Sequence, residues 1–114
     1  MDLPSLLELT LFVDDVDTSA DFYRALGLTL YEADEPGRQH VVDGLIGRDA
    51  GFQLFPAGHG PVTRVQLGFR VADLASVITE LDRLGTGYEL PMARRLRTTD
   101  PDGNRVHVAE VSHA

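Results

Sequence analysis

Apolar and polar residues alternate over residues 7–13. Leu9, Leu11 and Val13 fall on one face of a strand, and Glu8, Thr10 and Phe12 on the other. The period then changes. Asp14, Asp15 and Asp17 supply a turn and a helix N-cap, Ser19, Phe22, Tyr23 and Leu26 recur at helical spacing, and Gly27 ends the run. A second strand is predicted over 29–33, a turn over 34–38, and further strands over 39–43 and 51–55.

The pattern then begins again. Over 65–71, Leu67, Phe69 and Val71 share one face, and Gln66, Gly68 and Arg70 the other. Asp73 caps a helix whose apolar stripe is Val77, Ile78, Leu81 and Leu84, and Gly85 closes it. Strands follow near Tyr88, over 94–98 and over 105–111, with a tight turn at Asp100-Pro101-Asp102-Gly103-Asn104. Laid over 8–31 without a gap, residues 66–89 place Leu67 on Leu9, Val71 on Val13, Asp73 on Asp15, Leu84 on Leu26 and Gly85 on Gly27. The Gly- and Pro-rich stretch 56–61 is the joint. The prediction is an α+β fold: a single domain, 1–114, of two tandem βαβββ modules, about 1–57 and 62–114. One helix covers one face of each sheet. The other faces stay semi-polar, and the duplication turns them into the lining of a cup-shaped mixed sheet.

Composition narrows the function classes. The 114 residues carry a net charge of −8 and a pI near 4.7, which argues against nucleic acid and against an anionic membrane surface as partners. With no cysteine, disulfides, thiolate metal sites and thiol nucleophiles are excluded. No apolar run reaches the length of a membrane span, and the first residues lack a basic-then-apolar leader pattern. A cytoplasmic protein is expected.

The run Val13-Asp14-Asp15, then Ser19, Phe22-Tyr23 and Leu26-Gly27, resembles the vicinal oxygen chelate superfamily, as do Val71-Ala72-Asp73-Leu74 and the Asp100–Asn104 turn. That group includes glyoxalase I, the fosfomycin and bleomycin resistance proteins and the extradiol dioxygenases. The resemblance covers nearly the whole chain. It is specific for the fold and weak for the reaction, since one fold hosts many chemistries. It implies paired modules around a cup, frequent homodimers with modules sometimes paired across chains, and in many members a divalent metal held by residues of the first and last strands. A homodimer is therefore expected.

Carried over by motif, the metal positions are Glu8, Gln53, Gln66 and His107. Glyoxalase I uses two carboxylates there, and Gln53 stands where a glutamate is usual. Non-haem iron oxygen chemistry generally needs two histidines and one carboxylate, which argues against a dioxygenase. The remaining set is Glu8, Gln66 and His107: an anionic oxygen, an amide oxygen and an imidazole. It suits Zn, Ni, Mn or Fe. Glu8, the only carboxylate of the four, is also the candidate catalytic base. Without a metal, the same residues read as a hydrogen-bonded network in which His107 meets Glu8 across the pseudo-axis and the glutamines complete the bonding.

Thr10, Phe12, Gln53, Phe55 and Arg70 share the cup-facing register and read either as a ligand wall or as packing between modules. Tyr31, His40 and Tyr88 are rim candidates, while Phe52, out of phase with Gln53, belongs to the core. Arg94, Arg95 and Arg97 form the basic cluster of an acidic chain. Arg95 and Arg97 share a strand face, where they either meet an anionic ligand group or pair with local acids. His59 and His113 carry no signal. Two functions follow. The first is a glyoxalase/bleomycin resistance protein-like binder that sequesters a small apolar or aromatic ligand. The second is a divalent-metal-dependent lyase or isomerase of glyoxalase type, acting on a substrate with vicinal oxygens.

Overall fold

A computed structural model describes residues 3–34, 36–37 and 39–111. Glu35 and Arg38 of the expected turn, and His113, lie outside the described residues. The first module comprises β1 (Glu8–Val13), α1 (Val16–Ala25), β2 (Leu30–Glu32), β3 (Val42–Ile46) and β4 (Ala50–Pro56). The second comprises β5 (Leu67–Val71), α2 (Leu74–Leu84), β6 (Tyr88–Met92), β7 (Arg95–Thr99) and β8 (Arg105–Glu110). Each module forms its own four-stranded sheet, ordered β1-β4-β3-β2 and β5-β8-β7-β6. The first strand runs parallel to the last, and the other neighbours are antiparallel. The fold is the expected α+β pair of βαβββ modules.

Local chemistry sets the helices. The Asp15 carboxylate accepts the Thr18 N–H at 3.0 Å, and that bond lowers its pKa. Asp73 does the same for Ser76, whose hydroxyl also donates to it at 2.7 Å. Gly85 ends α2 in the left-handed region at φ 72°, where a side chain would be strained.

Two expectations are corrected. The third strand starts three residues later than predicted, at Val42 rather than residue 39. The Val41 carbonyl still accepts the Ala33 N–H, and His40 before it is held by Asp17 of α1 and Asp34. Gly44 then lets β3 approach β2 closely, since a Cβ there would lie 2.4 Å from the Leu30 side chain. Arg94 is not a strand residue opposite Arg95 and Arg97. It sits in the β6–β7 turn at φ 63°, and its carbonyl accepts the Glu110 N–H.

The two modules share one core on their helix sides, joining Leu11, Val13, Phe22, Tyr23, Phe52 and Leu54 to Leu74, Val77, Leu81, Leu96, Val106 and Val108. Tyr23 is its centre. Fully buried, the ring packs edge-on against Phe52 of its own module and Phe69 of the other, with centroids 5.0 and 6.3 Å away. Its hydroxyl donates to Asp100 at 2.7 Å, and burial pushes the phenol pKa upward. Asp100 also accepts the backbone N–H groups of Asp102 and Asn104 and the Asn104 amide. Asn104 in turn accepts from the Val65 N–H and donates to the Thr63 carbonyl. Thr63 closes the chain of bonds on β1: its hydroxyl accepts the Phe12 N–H and its own N–H donates to the Phe12 carbonyl, both at 2.8 Å. The turn at Asp100–Asn104 thus anchors the second module to α1, to the linker and to β1.

Tyr23→Phe should therefore cost about 1–3 kcal/mol, because it leaves a buried carboxyl oxygen short of a donor. Urea unfolding of the variant checks this, and an unchanged midpoint would remove the bond from the list of inter-module ties.

Candidate functional site

The helix-side faces are consumed by the core, which leaves the outer faces of the sheets for binding. On the first sheet, strand register places Thr10, Gln53, Asp43 and Tyr31 in one row across β1, β4, β3 and β2. The Thr10 hydroxyl donates to the Gln53 amide oxygen at 3.0 Å. Beside this row Phe12 and Phe55 are register partners with ring centroids 5.9 Å apart, and Phe12 is 46% exposed. Glu8 lies next to Gly51 and is exposed.

On the second sheet the matching row is Gly68, His107, Arg97 and Glu89, and the next is Arg70, Ala109, Arg95 and Met92. Arg97 pairs with Glu89 at 3.0 Å. His107 and Gln66 line one cavity of about 680 Å³. A wider groove of about 1140 Å³ follows the free edge of β5, between the outer-face residues Arg70, Arg95, His107 and Ala109 and the first module's Leu26 and Leu45.

Each predicted site residue has a definite place. Glu8, Thr10, Phe12, Gln53 and Phe55 share the outer face of the first sheet, and Gln66, Arg70 and His107 that of the second. Neither cavity takes in any of the first five. No hydrogen bond joins His107 to Glu8 among the described residues. The Glu8/Gln66/His107 metal set is thus divided between two separate sheets of one chain, and its donors include one carboxylate. With one carboxylate and two neutral donors, the set supplies little charge to hold a divalent metal. Phe52 is completely buried in the core.

Two features escaped the sequence reading. Asp43 adds a second carboxylate to the outer face of the first sheet, and one of its oxygens is buried with no hydrogen-bond partner among the described residues. The predicted strand over 39–43 contained it, but no face was assigned to that strand. The other is the setting of His40, whose ring nitrogens lie 2.7 Å from Asp34 and 2.8 Å from Asp17. Asp17, Glu32 and His40 bring ligand atoms within 4.8 Å of one another. The bonds to Asp17 and Asp34 raise the His40 pKa to about 9, so at neutral pH the imidazolium itself is the cation among these acids. Only spatial proximity, not sequence spacing, joins Asp17 to His40.

This geometry can be set against known proteins. A family model described as bleomycin resistance protein-like N-terminal matches residues 6–38. The structure is similar to lactoylglutathione lyase from Agrobacterium tumefaciens, at 25% identity, 96% coverage of each chain and a TM-score of 0.66. It is similar to TnmS3, an antibiotic binding protein from Streptomyces sp. CB03234, at 24% identity, with 98% of this chain and 99% of that one covered and a TM-score of 0.68. The integron cassette protein VCH_CASS1 from the mobile metagenome of V. cholerae superposes with a TM-score of 0.72, at 23% identity and 98% coverage of each chain. No curated protein matches the chain in sequence. The chain has the fold of the glyoxalase/bleomycin resistance protein/dioxygenase, or vicinal oxygen chelate, superfamily, and its first module matches a bleomycin resistance protein-like model. No described helix is long and apolar enough to cross a membrane.

The His40 clamp predicts a pH dependence. The folded-state pKa of about 9 lies above the ordinary 6.5. The clamp's stabilisation is therefore complete below pH 6.5 and is lost as pH rises through 9. Thermal unfolding across that window should show a fall in Tm that His40→Ala flattens. Parallel curves for the two proteins would refute the clamp.

Proposed function

We propose that this protein binds and sequesters a small apolar or aromatic molecule in a cup lined by the outer faces of the two sheets, with each cup closed by a second copy of the chain. The observation that carries this reading is the Phe12–Phe55 pair, aromatic surface left open on a sheet face whose other side is fully packed. Covering such surface is favourable by about 25 cal/mol per Å². The antibiotic binding protein among the structural neighbours supports the class, through a shared fold.

Three observations support a second copy as the lid. Tyr23 and Asp100 hold the modules together on their helix sides, which leaves both outer faces to solvent. Among the described residues β5 pairs with β8 only, so it has an edge able to take another strand, whereas the edge of β1 is already held at Phe12 by Thr63. The outer faces are complementary in charge, with Glu8 and Asp43 on the first, and Arg70, Arg95, Arg97 and Arg105 outnumbering Glu89 on the second. Bringing the first sheet of one copy beside the second sheet of another covers the open edge of β5 and sets acidic against basic residues, and symmetry then repeats the contact.

The shared cavity of Gln66 and His107 favours a second reading, a divalent-metal-dependent lyase or isomerase whose Glu8 comes from the second copy. The two readings separate experimentally. In a thermal-shift screen against divalent metals and aromatic natural products, aromatic compounds should raise the wild-type Tm, and the Phe12→Ala/Phe55→Ala double variant should lose most of that rise. Equal rises in both proteins would contradict the binding reading. One equivalent of metal per chain in the purified protein, lost in His107→Ala, would establish the metal reading instead.

A further inference from the structure

The duplication allows the two outer faces to be compared position by position. Strand register makes Phe12 equivalent to Arg70, Phe55 to Ala109 and Gln53 to His107. By the same rule Asp43 corresponds to Arg97. So where the first module carries two stacked rings, the second carries an arginine beside a small residue. Arg95 lies on the far side of that residue, since Ala109 pairs with Arg70 on β8's one flank and with Arg95 on the other. Two guanidinium groups therefore flank a gap floored by Ala109. Their backbones are two strand spacings, or about 10 Å, apart.

No carboxylate among the described residues neutralises them. Ion pairs among the described residues engage Arg24, His40, Arg83 and Arg97 and leave Arg70 and Arg95 without a carboxylate. Both line the groove along β5 together with His107 and Ala109. The acids on the groove's other wall are already committed: Asp73 caps α2, and Glu80 binds Arg83. Two unpaired guanidiniums over a small residue form a fork that fits the two oxygens of a carboxylate or the three of a phosphate or sulfonate.

Resting on the cup reading, we propose that the ligand is an aromatic molecule bearing an oxyanion. Arg70 and Arg95 hold the anionic group above Ala109, and the Phe12–Phe55 pair of the facing module packs the ring system. The duplicated positions have split into an apolar half and a cationic half, so a ligand spanning the pseudo-axis is bound in one orientation. The overall charge of −8 disfavours anions at a distance. Selectivity therefore comes from short-range contacts at the fork, not from long-range steering.

The test uses two dyes that differ in one group, 8-anilinonaphthalene-1-sulfonate and its neutral parent N-phenyl-1-naphthylamine, titrated by fluorescence against the full-length protein. The wild type should bind the sulfonate at least about tenfold more tightly than the parent dye. The R70Q/R95Q variant, checked for an unchanged Tm, should bind the two dyes alike. Equal wild-type affinities, both weakened by Phe12→Ala/Phe55→Ala, would overturn the anion assignment and keep the cup. A sulfonate preference that survives in R70Q/R95Q would also overturn the assignment. Failure of both dyes to bind, or binding indifferent to the phenylalanine substitutions, would overturn the cup reading with it.

Discussion

A carboxyl group buried between two modules must find donors, and Asp100 takes one of its four from the other module. The Tyr23 hydroxyl is that donor, and the ring that carries it is wedged between Phe52 and Phe69. Much else depends on this contact. It fixes the modules helix side to helix side, merges their apolar residues into one core and ties the linker to β1 through Asn104 and Thr63. With the helix sides joined, the outer faces of both sheets remain open, and the groove along β5 opens beside the second of them.

Gene duplication is usually read as a device for making two equal halves. Here the equivalent positions have diverged in chemistry while keeping their register. Glu8 and Gln66, Gln53 and His107, Phe12 and Arg70 are pairs by position and strangers by type. A superfamily cup with a resident metal needs several strong donors around one point. This chain spreads its donors over two sheets and fills the neighbouring positions with phenylalanine and arginine. That substitution pattern favours recognition of a ligand by stacking and charge over activation of it by a metal.

The fold was legible because two independent periodicities, strand and helix, recur in the same order at a constant offset. Burial at Leu11, Val13, Phe52 and Leu54 follows directly from alternation. The outer-face positions on β1, β4, β5 and β8 were legible for the same reason. The third strand was less so. Residues 39–46 hold apolar residues in both registers, and the choice between them is fixed by pairing with β2 and β4, not by alternation. With no face assigned to that strand, Asp43 was not recognised as an outer-face carboxylate. The Asp-Pro-Asp-Gly-Asn turn was legible as a turn, with Gly103 at φ 89°, but not as an anchor, because its partner Tyr23 is distant in sequence. How the modules face one another depends on which residues bury together, which periodicity does not encode.

The central claim is that each cup takes its aromatic half from one chain and its cationic half from another. Mixing two variants, each weakened in binding the anionic dye, tests it. A Phe12→Ala/Phe55→Ala chain and an R70Q/R95Q chain are unfolded together, refolded together and titrated with the anionic dye. If cups form between chains, mixed dimers contain one cup with both halves intact, and tight binding sites return. If each cup forms within one chain, every cup in the mixture carries a defect, and the absence of recovered binding would contradict the account.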